Sequence, residues 1–204
     1  MGFFKYWAIP NGESALNGHW RDGPWKTFFD SIRTKVDFSM LLAEDLGVVL
    51  KDTETILKNY NIPGMNVLQQ RIPNNDQHEE THPGEWNKNL ASYTGTHDSP
   101  TIKQWLNEAE KTQIKYYKNY LNDFNISSDS EIWNFIELTW KTPCILTVTN
   151  VQDILELDVE ARFNLPGTKK GNWKWRVNSL DTLHEGFGRL KKLNEETDRF
   201  NILT

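Results

Sequence analysis

"LASYTGTHDSP", residues 90 to 100, decides how this sequence folds. It opens on an apolar run of strand length, Leu90 to Thr94, and passes without a polar transition into Gly95, Thr96, His97 and Asp98. Ser99 and Pro100 then offer an N-cap and a first-turn proline to a helix carrying Ile102, Trp105, Leu106 and Ala109 on one side. Strand, polar turn and helix in that order make one βα unit, with a histidine and an acid at the strand's carboxyl end.

Working outward, three more runs have the same character: Phe38 to Ala43 (FSMLLA), Met65 to Leu68 (MNVL) and Cys144 to Val148 (CILTV). Near-continuous hydrophobicity, rather than alternation, suits strands covered on both faces, as in a parallel sheet. Helices are expected between them. One runs from Asp52 to Asn59 and is stopped by Asn61-Ile62-Pro63-Gly64. Another follows the capping box Ser128-Asp129-Ser130-Glu131 and carries Ile132, Phe135, Ile136 and Thr139. A last one starts at Ser179 and carries Leu183, Phe187, Leu190 and Leu193. No internal repeat or low-complexity linker interrupts the series. Alternation of this kind implies about four right-handed βαβ units, whereas a closed (β/α)₈ barrel needs eight and about 250 residues. The expected fold is therefore α/β, half of a (β/α)₈ TIM-type barrel with parallel strands. An open half barrel exposes strand edges and an apolar interior, so self-association is expected.

Composition narrows the function. The 204 residues are 37% hydrophobic and 25% charged, with a net charge of -5, which suits an ordinary globular chain. Lysines are scattered among acids, so neither a nucleic acid nor a membrane surface is an expected partner. Cys144 is the only cysteine, which excludes an internal disulfide and favours a reducing compartment, with packing as its role. With no signal peptide and no apolar run near 20 residues, a cytoplasmic location is the expectation. Nine tryptophans and six tyrosines exceed what a core requires, and rings with a polar edge are common platforms for sugars. About two thirds of them are expected in the core.

His78-Glu79-Glu80-Thr81-His82 matches the H-E-x-x-H signature of zinc proteases. That signature works only on a helix, where both imidazoles share a face. Here Pro83 follows the second histidine and pushes it out of the α region, and the segment from Asn74 to Glu85 has no apolar face to bury. The segment reads as a solvated loop, and no metal and no cofactor is expected.

The carboxylates after the apolar runs are the better candidates. Glu44 and Asp45 follow one run, with Gly47 allowing a tight turn; His97 and Asp98 follow another. Taken singly, such acids serve more often in helix capping or surface ion pairs. At the carboxyl ends of barrel strands they would face the side where active sites of that fold are built. Paired acids there are the equipment of glycosidic chemistry, one protonating the leaving oxygen and one attacking or supporting the oxocarbenium-like centre.

Five blocks in order, "GFFKYWAIPNGESALNGHWRDGP" (2–24), "LLAEDLG" (41–47), "IPGMNVLQ" (62–69), "YTGTHD" (93–98) and "EARFNLPGTKKGNWKWR" (160–176), resemble the 4-α-glucanotransferases, or amylomaltases. The resemblance covers about nine tenths of the chain. It implies the C-terminal half of a (β/α)₈ barrel with irregular substrate loops, acting on maltooligosaccharides or α-glucan by a retaining double displacement. It implies Glu44 as general acid/base, Asp98 as the third carboxylate that holds sugar hydroxyls, His97 as a sugar ligand and Asn164 beside the substrate groove. The family's nucleophile is an aspartate in an R-I-D-H-F-R-G strand, and Gly2 aligns with that motif's last glycine. Residues 1–204 are thus expected to form a partial barrel domain without the nucleophile, inactive alone. The competing expectation is a non-catalytic maltooligosaccharide-binding or assembly fragment.

Overall fold

The computed structural model describes residues 4–46, 51–75 and 81–199. The chain divides into two compact units, Met1–Met65 and Asn66–Thr204.

The first unit opens on an antiparallel hairpin of β1 (Lys5–Ala8) and β2 (His19–Asp22), with Lys5 opposite Asp22 and Ala8 opposite His19. Its loop is folded around Trp7, whose Nε1 donates to the Ala15 carbonyl at 2.9 Å. The indole lies over Gly18, where any Cβ would run into the ring. Helix α1 (Trp25–Ile32) and helix α2 (Lys51–Tyr60) follow, the second close to its expected bounds. Asp30 joins them, accepting from Lys26 Nζ and from the Tyr60 hydroxyl, each at 2.8 Å. A small core of Phe4, Phe38, Leu57 and Ile62 forms beneath, with Trp25, Phe29 and Tyr60 packed on it.

The expected strand over Phe38 to Ala43 is not formed. Asp37 accepts from both the backbone N and the hydroxyl of Ser39, at 2.9 and 2.8 Å, and this cap winds Phe38–Met40 into a 3₁₀ turn. Only Phe38 of that turn is buried, against Phe29 and Tyr60 at ring distances of 5.6 and 5.8 Å. Leu41 to Leu46 then run without regular structure, Ala43 N donating to Pro63 O at 2.8 Å. The apolar letters here served an aromatic cluster rather than a sheet.

The second unit is built on a three-stranded sheet of order β3-β4-β5: β3 (Gly64–Val67), of which Asn66 and Val67 fall in this unit, β4 (Leu90–Tyr93) and β5 (Leu146–Val148). Strands β4 and β5 are parallel, Ala91 opposite Leu146 and Tyr93 opposite Val148. The α/β class and the parallel sheet agree with the sequence reading, but three of the four expected strands form. Strand β5 also begins at Leu146, two residues late: Cys144 is buried before it, and burial raises its thiol pKa.

Helices α3 (Leu68–Arg71), α4 (Ile102–Glu108), α5 (Lys111–Asp123), α6 (Glu131–Trp140), α7 (Val151–Ile154) and α8 (His184–Glu196) pack around the sheet. α6 is buried almost all round, through Trp133, Phe135, Ile136, Leu138 and Trp140, as a helix at the centre of a core must be. Its cap is Ser130, accepting from Trp133 N at 3.3 Å; Ser128, expected to cap, instead donates its hydroxyl to Ser130 O. α4 is likewise capped by Thr101 and not by Ser99, whose hydroxyl is taken by the Thr96 N–H at 2.9 Å. α5 was not foreseen in the sequence. Glu110 and Gln113 begin it, the backbone N of Glu110 donating to Gln113 Oε1 at 3.1 Å. At the far end Arg199 donates to the carbonyls of Trp140, Thr142 and Cys144 at 2.7–2.9 Å, closing the carboxyl end of α6 and the approach to β5.

Candidate active site

The site in the second unit grows from the end of β4. Thr94 N donates to Val148 O at 3.1 Å, carrying the parallel ladder one step past the strand. The chain then turns: Thr96 N bonds the Ser99 hydroxyl, Ser99 N bonds Thr96 O, and Asp98 N bonds the Thr96 hydroxyl. Gly95 suits the turn because a Cβ there would stand 3.0 Å from Gln69 Nε2, whose amide bonds Pro100 O, and would press it aside. His97 and Asp98 project from the crest, both about half exposed, with His97 Nε2 3.4 Å from Asp98 Oδ1.

The segment around 160–176 comes up beside them. Asn164 Nδ2 donates to Asp98 Oδ1 at 2.6 Å. Arg162 donates from one terminal nitrogen to the Asp98 carbonyl at 2.9 Å and from Nε to Asn164 O at 3.0 Å. Trp173 N donates to Phe163 O, and its ring stands 5.3 Å from His97 and 4.9 Å from Phe163. Trp173 holds φ +63, a left-handed backbone that a bulky residue adopts only when its surroundings impose it. Asn172 imposes it, accepting from Leu165 N and donating to Thr168. The structure thus brings His97, Asp98 and Asn164 together, with Asn164 holding the carboxylate directly. A cleft of about 540 Å³ adjoins them, lined by Thr96, His97, Asn150, Arg162, Phe163 and Trp175 among others.

Beneath the loop lies Asp153, 1% exposed. Its Oδ1 accepts from Ile102 N at 2.8 Å, and its Oδ2 from the Thr94 hydroxyl at 3.2 Å and Asn150 Nδ2 at 3.5 Å. Burial pushes its pKa up to about 6, outweighing those hydrogen bonds, which favour the ionised form.

Glu44 lies in the first unit and is exposed. Its neighbour Asp45 turns to the backbone: Oδ1 accepts from Met65 N at 2.8 Å, and a Cβ on Gly64 would meet Oδ2 at 2.5 Å. The two acids after the apolar run therefore separate in use, one seating the start of β3. His78, Glu79 and Glu80 of the zinc-like motif lie outside the described residues. His82 holds φ -53 and ψ 137, extended as Pro83 demands, and stacks on Phe124 at 5.4 Å. Among the described residues no group of three or more His, Cys, Asp and Glu is arranged to hold a metal ion.

Arg162, Trp173 and Asp153 were missed as site residues in the sequence. A signal existed for Asp153, an acid set among Val151, Ile154 and Leu155, where a charge is placed only if it is partnered.

A carboxylate, an imidazole and an amide at the carboxyl end of a parallel strand, over an aromatic-edged cleft, stand where α/β barrel enzymes build their sites. The chain belongs to the 4-alpha-glucanotransferase family, whose model matches residues 1–182. It is 35% identical over 199 residues to the chloroplastic/amyloplastic 4-alpha-glucanotransferase DPE1 of Arabidopsis thaliana, covering 94% of this chain and 34% of that protein. To the 4-alpha-glucanotransferase of Thermus thermophilus it is 34% identical over 205 residues, 97% of this chain and 41% of the relative. Among solved structures it superposes on amylomaltase from Streptococcus agalactiae, determined in complex with acarbose, with a TM-score of 0.87 and 27% identity, over 98% of this chain and 40% of that one. This chain therefore spans between a third and about two fifths of the length of these relatives.

Proposed function

We propose that these 204 residues carry the acid/base and sugar-holding part of a 4-α-glucanotransferase site, which moves α-1,4-glucan segments between maltooligosaccharides with retention. Glu44 is the general acid/base and Asp98 the third carboxylate. His97 and Asn164 are sugar-side ligands, Asn164 also fixing the Asp98 carboxylate. The nucleophilic aspartate comes from outside these residues, so the chain by itself transfers negligibly; losing a covalent nucleophile costs several orders of magnitude in rate. The Asn164–Asp98–His97 cluster at the lip of the cleft, in a chain of this family, is the observation that carries the reading. No helix among the described residues is long and apolar enough to cross a membrane, and a cytoplasmic site of action is part of the proposal.

Glucose release from maltotriose tests it, by the chain alone and mixed with a separately expressed segment that bears the nucleophile. Activity only in the mixture, abolished by Glu44→Gln, is expected. Silence in the mixture, with the two segments shown to associate, would refute it. A second reading, glucan binding without turnover, is favoured by the exposed ring of Trp173 beside His97. It predicts maltoheptaose binding that Trp173→Ala weakens while no mixture turns over. Self-association through open barrel edges belongs to the same proposal; a monomer by light scattering at high concentration would refute it.

A further inference from the structure

We infer that Asp153 is the positioning residue of this site, a buried carboxylate that clamps both ends of the loop bearing His97 and Asp98. The inference rests on the reading of Asp98 as the sugar-holding carboxylate.

The clamp is symmetrical about Asp98. Thr94 precedes it by four positions and Ile102 follows it by four, and both bond to Asp153, the hydroxyl on Oδ2 at 3.2 Å and the N–H on Oδ1 at 2.8 Å. A third connection passes through Asn150, whose amide reaches both Asp153 Oδ2 at 3.5 Å and the carbonyl of Gly95 at 3.2 Å. One side chain thereby fixes the end of β4, the first residue of α4 and the carbonyl at the start of the turn. Asp98 itself is half exposed, so its position depends on the ends of its loop and on Arg162 and Asn164.

The chemistry explains why an acid is kept there. Each oxygen accepts, one from a backbone N–H and the other from a hydroxyl and an amide. A buried carboxylate with several donors is tolerated where an unpartnered one is not. Asparagine retains an acceptor for Ile102 N and a partner for the Thr94 hydroxyl, which is free to reverse because it also sits 3.1 Å from the Thr149 hydroxyl. Alanine supplies neither.

The test uses isotope-labelled chain with Asp153→Ala, Asp153→Asn and Thr94→Val, and reads two sites that Asp153 does not touch. In Asp153→Ala, amide exchange at Thr96 should rise about tenfold or more relative to the core amide of Phe135, and the Asn164 side-chain amide signals should shift as the bond to Asp98 is lost. Asp153→Asn should restore most of both, and Thr94→Val should fall between. A folded Asp153→Ala with Thr96 exchange and Asn164 signals as in the parent would overturn the clamp. Should Asp153→Ala fail to fold, Thr94→Val with Thr96 exchange and Asn164 signals as in the parent would overturn it equally. In the nucleophile-complemented assay the clamp predicts a fall in kcat/KM of about tenfold for Asp153→Ala, and recovery in Asp153→Asn. The magnetic-resonance readout needs no turnover, so an inert parent mixture would count against the proposed function and leave the clamp decided by its own signals.

Discussion

Two glycines on α8 predict opposite outcomes for one substitution. Gly186 is buried and Gly188 exposed, two positions apart in the same helix. Alanine at either gains about 1 kcal/mol of helix propensity. At Gly188 a Cβ meets nothing within 4 Å, so the gain stands, reduced to roughly 0.5–1 kcal/mol by context. At Gly186 the Cβ lands inside contact distance of Ile154 Cγ2, with Ile154 Cβ and O each 3.6 Å from it. Ile154 is 8% exposed and β-branched, so it turns aside only by entering a poorer rotamer against the core. Overpacking of this kind costs about 1–3 kcal/mol, leaving Gly186→Ala about 1–2 kcal/mol less stable than the parent after the propensity gain at the upper part of that range. For a chain of this size that is a fall in Tm of roughly 2–8 °C, against a rise of roughly 1–4 °C for Gly188→Ala. Urea titration and thermal unfolding by circular dichroism measure both. In an Ile154→Ala background Gly186→Ala should become stabilising, because the methyl it met is gone. A Gly186→Ala chain as stable as Gly188→Ala would refute the packing argument.

Asp153 also makes stability pH-dependent. Its native pKa of about 6 lies above the ordinary 3.8, so as pH rises between those values the unfolded chain gives up a proton that the native chain keeps, and stability falls. The loss is complete above about pH 6 and amounts to about 3 kcal/mol from this group; urea titrations at steps from pH 4 to 7 should show the parent losing ground relative to Asp153→Asn, and parallel curves would contradict it. Arg199→Met leaves the carbonyls of Trp140, Thr142 and Cys144 without their donor and should cost about 2–3 kcal/mol, read as a lower urea midpoint with an unchanged slope. Asn164→Asp sets a second carboxylate against Asp98, where the amide now bonds at 2.6 Å, and should weaken maltoheptaose binding by about tenfold or more in calorimetry, whereas Asn164→Gln should lose less.

Strand β4 and its polar turn were legible because the two signals adjoin: an apolar run, then residues of site chemistry before a helix start. The helix with an obvious apolar face at α6 was legible too, whereas the last helix begins at His184 rather than Ser179, which caps a 3₁₀ turn at Leu180–Leu183, and the Phe187 expected on its apolar face is exposed. What escaped was set by side chains acting on backbone. Phe38 to Ala43 has the letters of a strand, but Asp37 offers Ser39 a better local bond than a ladder partner would. Ser99 reads as a cap until Thr96 claims its hydroxyl, and α5 begins with a box written Glu–Gln rather than Ser–Glu. Asp98, His97 and Asn164 stand together past the end of β4. Arg162 and Trp173 went unseen because their roles arise from a loop folded on itself around Asn172, which no periodicity announces.

Arg199 also fixes an order of events. The carbonyls of Trp140, Thr142 and Cys144 are made 55 to 59 positions before the guanidinium that satisfies them. On the ribosome, α6 and the approach to β5 therefore emerge with their last acceptors served by water alone. The parallel pairing of β5 beside β4 stays provisional until the chain has been translated past residue 199. A chain ending at residue 198 should be cut by proteases near 140–146, and the 204-residue chain should resist, which makes this arginine a timer for completion of the core.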